Sequence, residues 1–415
     1  MPLKKMFCEN YLLIFFIGLF SCNDNSNTTT KSSAPEKNYE KGTYGYDAAF
    51  LKKNLSNVIE LQDESGNSKL LLVADYQGRV MSSTAGGDSA TSFGWLNYNL
   101  IEAKQKKVQF NPVGGEERFW IGPEGGQFSI YFKKGDSFNI AHWQVPAIID
   151  TVSYNVKQSD KSQAVFTKNA TLTNYSGTQF NINIERKVSL LTKEQIANAL
   201  NTNVPDNIHF VGFQTDNKIT NTGNDDWSKV KGLLSIWLLG MFTPSDKTTV
   251  IIPFHNITNA HSYITTNYFG EIPKERLTIS DSVLYFTCDG KYRSKIGLSP
   301  LIAKPIAAGF DFAKNILTVI IPQVEKNAPY VNSKWEIQKE PYKGDVINSY
   351  NDGPLTDGTQ MGPFFEIESS SHALELKKGE TGEYKQTTIH LQGEYTTLKQ
   401  LTKQLLGVDL DSIKK

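Results

Sequence analysis

AVFTKNATLTNYSGTQFNINIERKVSL, residues 164–190, reads as two β-strands and the turn between them. Ala164–Leu172 and Phe180–Leu190 are rich in Val, Ile, Thr and Phe, and Thr173-Asn174-Tyr175-Ser176-Gly177 supplies the turn chemistry. The same texture recurs outward from this hairpin. Lys69–Ala74, Gln127–Phe132, Thr248–Pro253, Val283–Thr287, Ile316–Pro322, Lys334–Lys339 and Tyr384–Leu391 read as strands, and Asp63-Glu64-Ser65-Gly66-Asn67 reads as another turn. Helices are expected at Tyr46–Leu55, Thr192–Leu200 and Thr397–Leu406, the last with Leu398, Leu401 and Leu405 at helical spacing. Many short strands without alternating helices predict a mainly β fold of antiparallel sheets with a few short helices. No period repeats along the chain, which argues against a propeller or solenoid. No Pro/Ser-rich linker interrupts residues 43–415, so one domain is expected there.

The first 42 residues have a different character. Lys4 and Lys5 precede an apolar run that starts at Tyr11 and closes with Leu19-Phe20-Ser21-Cys22. This order of features is that of a secretory leader, and the run is too short for a mature membrane span. The Leu-Phe-Ser-Cys ending looks like a bacterial lipobox, which implies a signal peptide over 1–21 and lipid on Cys22. Residues 22–42 are nearly devoid of apolar side chains beyond Cys22 and are expected to be a flexible tether. Asn23 stands where Asp would resemble an inner-membrane retention signal, so the expected address is the outer membrane.

Composition narrows the function. The 415 residues hold 43 basic and 43 acidic side chains, and loss of Lys4, Lys5 and Glu9 with a leader barely changes the balance. A near-neutral chain gives no electrostatic case for nucleic acid. Of three Cys, Cys8 lies in the leader and Cys22 carries the lipid, so Cys288 has no partner and is expected to be buried and inert. A Cys-based zinc site is excluded. His255 and His261, six apart, are loosely spaced for a metal, and no metal or cofactor is expected. There is no Gly-x-Ser-x-Gly elbow, phosphate loop or His-Glu-x-x-His helix.

Three segments concentrate chemistry. The densest, Gly114 to Gln127, places Glu116, Glu117, Arg118, Trp120 and Glu124 between two glycine pairs. Those glycines suit positive-φ turns or close approach to a ligand. Arg118 offers a planar fork of donors and Trp120 a flat apolar face for a sugar ring; an Arg–Glu salt bridge within the segment is the structural alternative. In the second, Gly362 to His372, a strand puts Glu366, Glu368 and Ser370 on one face and Phe365 and Ile367 on the other. The acidic face then opens to solvent or a cleft, or the strand is an edge with solvated acids, or it opposes a strand that carries Lys or Arg. The third, Phe138 to Pro146, offers His142 for acid–base work near neutral pH and Trp143 for stacking, against a purely structural histidine.

Taken together, these segments resemble the galactose mutarotase-like proteins, the aldose 1-epimerase superfamily. Tyr76 to Ser82 is similar to its early Gly-Arg hairpin, Gly114 to Glu124 to its Arg-bearing segment, and Glu366–His372 with Leu376-Lys377-Lys378-Gly379-Glu380 and Thr387-Thr388-Ile389 to its C-terminal signature. The chain looks most like a bacterial lipoprotein branch. The resemblance implies a β-supersandwich and a carbohydrate ligand, with Glu368 as the base on an anomeric hydroxyl and Glu366 as the register alternative. It implies Arg118 as a substrate-binding residue; Trp120, Glu124, Trp143 and Glu366 are the further substrate-binding candidates, the two tryptophans as the aromatic wall of a cleft. Where the superfamily has a central His, Lys218 to Gly223 carries Asn and Gly, which leaves His142 for the acid. The expected function is a lipid-anchored carbohydrate-binding or carbohydrate-processing protein. An epimerase-like isomerase and a non-catalytic structural lipoprotein are the alternatives. Arg118 and Glu368, 250 positions apart, are expected to share one site.

Overall fold

Alternation builds the long hairpin. In Gln163–Thr173 and Gln179–Leu190 the buried side chains include Ala164, Phe166, Leu172, Phe180, Ile182, Ile184, Val188 and Leu190, and the residues between them face outward. Period-two burial of this kind belongs to a sheet with one wet face. Asn174 ties the turn. Its side chain accepts from the Thr178 N–H at 2.9 Å and its carbonyl from the Gly177 N–H at 2.8 Å.

The computed structural model describes residues 38–413. Residues 1–21, Cys22 and the part of the expected tether up to 37 lie outside the described residues. From Tyr39 on, the described residues form one compact unit. Three sheets carry it, and each ladder between their strands is antiparallel. The largest has ten strands, in the order Leu277–Ile279, Val283–Thr287, Thr248–Pro253, Ala307–Asp311, Ile316–Pro322, Thr381–Gly393, Ile208–Asn221, Gln179–Leu190, Gln163–Thr173 and Asn155–Ser159. The second has six, in the order Ile264–Thr265, Ser294–Leu298, Ile347–Asn351, Phe365–Ser370, Ser235–Phe242 and Arg118–Gly122. A three-stranded sheet, Val58–Gln62, Lys69–Val73 and Arg79–Thr84, packs against the helix Tyr44–Asn54 through Tyr44, Ala48, Leu51, Leu71 and Val73.

The ten- and six-stranded sheets bury one face each against the other. Val250, Ile252, Phe286, Ala307 and Ile320 of the larger meet Ile296, Phe365 and Ile367 of the smaller. The helices Lys193–Leu200 and Tyr395–Leu406 lie on the larger sheet, where Ile196, Leu398, Leu401 and Leu406 cluster with Ile251, Phe310, Leu317 and Ile389. Thr192 and Gln195 form a reciprocal capping box at the start of the first, and Gly407 at φ 72° ends the second. Cys288 is buried, and burial pushes its thiol up.

Two expected strands are loops. Gln127–Phe132 and Lys334–Lys339 pair by side chain instead of by ladder. Gln127 Nε2 donates to the Gln338 carbonyl and Gln127 Oε1 accepts from the Gln338 N–H, both at 2.9 Å. Their aromatic content reflects packing, since Tyr131, Phe132 and Trp335 enter the core cluster or pack against it.

Between the sheets sits a polar knot. Glu117 and Arg186 are fully buried, with Arg186 Nη2 donating to Glu117 Oε1 at 2.9 Å. Thr215 Oγ1 donates to the same oxygen at 2.7 Å, and Gln386 Nε2 to Glu117 Oε2 at 2.9 Å. Removing one member of such a pair leaves a buried charge and costs about 3–5 kcal/mol. Arg186→Met should lower the unfolding free energy by that amount in urea titration. The double variant with Glu117→Gln should recover part of the loss.

Candidate functional site

The outer face of the six-stranded sheet holds the site. Residues directly opposite in an antiparallel pair point to one side. Glu368 stands opposite Leu239, and Leu239 opposite Arg118. Two strand spacings, about 10 Å, therefore separate the Glu368 and Arg118 backbones on a common face. By the same rule Glu366 shares this face with Met241 and Tyr350, Tyr350 with Lys295, and Trp120 with Trp237. The strand bearing the two glutamates is central, so the edge-strand alternative does not hold. Both side chains are buried.

Arg118 Nη2 donates to Glu366 Oε1 across this face, so its partner is not a carboxylate of its own segment. The guanidinium also lies over the Trp120 ring, 4.7 Å from its centroid. Glu368 is held on one oxygen only. Lys295 Nζ donates to Oε2 at 2.8 Å and Trp237 Nε1 to the same atom at 3.0 Å. Lys295 itself lies over the rings of Trp237 and Tyr268, 5.0 and 5.6 Å from their centroids. Glu368 Oε1, Arg118 Nε, Arg118 Nη1 and Trp120 Nε1 are buried and have no protein hydrogen-bond partner. Each such atom costs about 1–3 kcal/mol when left unpaired.

An aromatic chain rises from the sheet over this cluster. Trp237 meets Trp120 edge-on at 5.5 Å, and Trp120 meets Tyr131 at 5.7 Å and Phe110 at 5.4 Å. Trp143 stacks on Tyr131 at 6.3 Å and on Trp335 at 5.9 Å. Glu124 is half-buried beside the Trp143 and Trp335 indoles, with its N–H donating to Ser333 Oγ at 3.2 Å. Burial pushes its carboxyl up to about 7; Lys295 and the Trp335 and Trp143 indoles pull it down, and the Glu368 charge adds to the rise. Burial also raises Glu366, with Glu368 adding to the rise and Arg118 opposing it. Burial alone would lower Lys295, but the Glu368 and Glu124 carboxylates outweigh it and hold it above the ordinary lysine value.

Arg118, Trp120, Glu124, Trp143, Glu366 and Glu368 thus come together. His142 does not join them. It is exposed on a turn, with its ring Nδ1 bonded to Ser137 Oγ at 3.0 Å, because the chain reverses there and sends only Trp143 inward. The glycine pairs approach protein, not an open cleft. A Cβ on Gly114 would stand 2.0 Å from the Trp95 carbonyl oxygen, and one on Gly125 2.3 Å from that of Lys334.

A family model described as "Family of unknown function (DUF6786)" matches residues 42–415. The chain belongs to the DUF6786 family. No curated protein matches the sequence. In backbone the DUF6786 chain is similar to an Escherichia coli K12 protein provisionally assigned as an aldose 1-epimerase, with a TM-score of 0.49 and 11% identity over 81% of this chain and 99% of that one. It is similar to a galactose mutarotase-like protein from Lactobacillus casei, with a TM-score of 0.44 and 11% identity over 81% and 100%. It is also similar to a Salmonella typhimurium protein provisionally assigned as a mutarotase, with a TM-score of 0.47 and 10% identity over 82% and 92%.

Sequence reasoning missed Lys295 and Trp237 in this DUF6786 site. Lys295 is one lysine in the short strand Ser294–Leu298, and only the strand register shows that it stands in line with Tyr350 and Glu366. Trp237 lies in Ser235–Phe242, a strand buried at every position, so alternation gives it no face.

Glu124 makes stability depend on pH. Its folded value is about 7 against an ordinary 4.5, so the folded state keeps the proton longer than the unfolded one. That contribution is full below about 4.5 and is lost as pH rises through about 7. Glu124→Gln should flatten the fall in urea midpoint between about pH 5 and pH 7.5. An unchanged slope would show that Glu124 titrates normally.

Proposed function

We propose that this chain is a lipid-anchored carbohydrate-binding protein of the bacterial envelope, with its sugar site on the outer face of the six-stranded sheet. The observation that carries the reading is the set of buried, unpartnered polar atoms around Arg118, Trp120 and Glu368. Three are donors and one is an acceptor. A hydroxyl both donates and accepts, so a polyol satisfies such a mixed set, whereas a simple anion satisfies only the donors. The aromatic chain through Trp120 and Trp143 supplies flat apolar surface of the kind that takes the C–H face of a sugar ring.

Charge points the same way. Arg118 is already matched by Glu366, and Lys295 by Glu368. No lone cation waits for a carboxylate or phosphate among these four residues. The packed antiparallel sheets and the outward placing of Arg118 and Glu368 accord with the mutarotase-like supersandwich that the sequence resembles. The lipobox-like Leu19-Phe20-Ser21-Cys22 and the following Asn23 support an outer-membrane anchor.

Tryptophan fluorescence titrated with a panel of mono- and oligosaccharides should show saturable binding. The double variant Arg118→Met/Glu366→Gln, which leaves no lone charge, should weaken it about 10- to 100-fold, as expected for a lost charge-assisted hydrogen bond. Binding of no sugar in the panel, or equal binding by the variant, would refute the site. Independently, Cys22→Ala should leave the chain unprocessed or mislocalised in cell fractionation. A variant that is processed and fractionates like the wild type would refute the anchor.

A further inference from the structure

We propose that four loops beside the aromatic chain form a docking surface for an anionic lipid bilayer. Among the described residues, Val230, Val108, Ile337 and Ile140 are the most exposed large apolar side chains, at 88, 79, 62 and 61%. They come from four separate stretches of sequence, yet those stretches pack on one another. Gln109 Nε2, next to Val108, donates to the Ile140 carbonyl at 2.7 Å. Phe132 joins the Ile140 and Ile337 loops, meeting Phe138 at 5.0 Å and Trp335 at 5.2 Å. Phe138 meets Tyr175 at 5.1 Å, and Asn174 Nδ2 donates to the Lys231 carbonyl, next to Val230, at 2.9 Å. Single exposed aliphatics are ordinary on a protein surface. The four most exposed on one set of neighbouring loops form a patch, which marks an interaction site.

Charge identifies the partner. The loops 104–110, 133–144, 228–231 and 334–340 hold nine lysines against three carboxylates, in a chain whose totals are equal. Of the nine, only Lys229 is ion-paired among the described residues, with Glu375 at 3.8 Å. Lysines are depleted and aromatics enriched where proteins meet proteins. Here the lysines stand outward, while Phe138 and Trp335 turn down onto the core. Aliphatic tips among lysines suit a bilayer instead. The tips enter the boundary between headgroups and acyl chains, and the lysines stay among the headgroup phosphates. An acidic polysaccharide would use the lysines and leave the tips in water. Docking in this way would also set the mouth of the aromatic chain against the membrane, since Trp143 and Trp335 belong to two of the four loops.

The test uses the full chain reconstituted with vesicles of phosphatidylcholine and phosphatidylglycerol in equal parts. Ile140→Cys and Ile337→Cys each carry the environment-sensitive dye NBD, and the unsubstituted chain taken through labelling gives the background. Leu355→Cys is the control. It is exposed on the loop after Asn351, whereas the proposed surface lies beyond Gly122 and Ser235 at the other end of the six-stranded sheet. All three positions are exposed, so the substitutions leave the core intact. The dye at 140 and 337 should brighten and shift to shorter wavelength, and the dye at 355 should not. Lys107→Gln/Lys133→Gln/Lys134→Gln/Lys334→Gln should lower the ratio of inserted to free dye by at least about 100-fold, since each lysine at an anionic surface contributes about fivefold. No shift at either tip overturns the proposal, as does an equal shift at 355 or in pure phosphatidylcholine. A shift that needs no vesicles and grows with chain concentration identifies a second copy as the occupant and overturns it too. The readout is local to the loops and uses no sugar, so it stands apart from the sugar site and from the way the N-terminus is held.

Discussion

The Glu117–Arg186 pair sets the geometry of everything that faces outward. Glu117 is gripped by Arg186, Thr215 and Gln386, from three different strands of the larger sheet. A strand alternates, so an inward Glu117 makes Arg118 and Trp120 point to the opposite face. A slip of one residue would send Arg118 between the sheets and expose Glu117, breaking all three bonds at once. The same knot reaches the second glutamate-bearing strand. Gln386 accepts from Ser369 Oγ at 2.5 Å with one atom of its amide and donates to Glu117 with the other. Ser369 inward means Glu368 outward. One buried amide thus fixes the facing of both residues that define the site.

The parts of this fold that alternate were legible in the sequence, and the parts that do not were not. Gln163–Thr173 and Gln179–Leu190 have one wet face, and their period shows in the residue types. Thr248–Pro253, Val283–Thr287 and Ile316–Pro322 are short apolar runs, and their ends coincide with the expected ones. Ser235–Phe242 and Ile347–Asn351 are buried at every position, one face against the larger sheet and the other under the aromatic chain and its neighbours. Burial on both sides erases the period. That loss hid Trp237 and the neighbours of Glu368. Glu366 and Glu368 were readable because charge marks one face and Phe365 and Ile367 mark the other.

The glycine-flanked segment shows a second limit. Its glycines announced close approach, and the sequence does not say to what. The structure answers with protein: Trp95 and Arg79 crowd Gly114 and Gly115, and Lys334 crowds Gly125. The approach still serves the site, because it brings the 332–338 loop and its Trp335 against Trp143 and Glu124. Long-range pairing between loops of this kind leaves no local pattern. The Gln127 side-chain amide, bonded to the N–H and carbonyl of Gln338, does the work that a ladder would do, and the composition of the two segments is indistinguishable from that of a strand.

Charge balance gives the site its selectivity. Three carboxyls, Glu124, Glu366 and Glu368, share the face with Arg118 and Lys295. If all three were ionised, the buried cluster would hold an excess negative charge, which low dielectric makes costly. Burial pushes Glu124 and Glu366 upward, and a single proton kept between them leaves two carboxylates against the two cations. Glu366 spends its partner on one nitrogen of Arg118, and the remaining guanidinium donors are left facing a site with little net positive field. An anionic ligand gains little there. A neutral ligand with several hydroxyls can use the Arg118 and Trp120 donors and the free Glu368 oxygen together, without asking the cluster to take up or release a proton on binding.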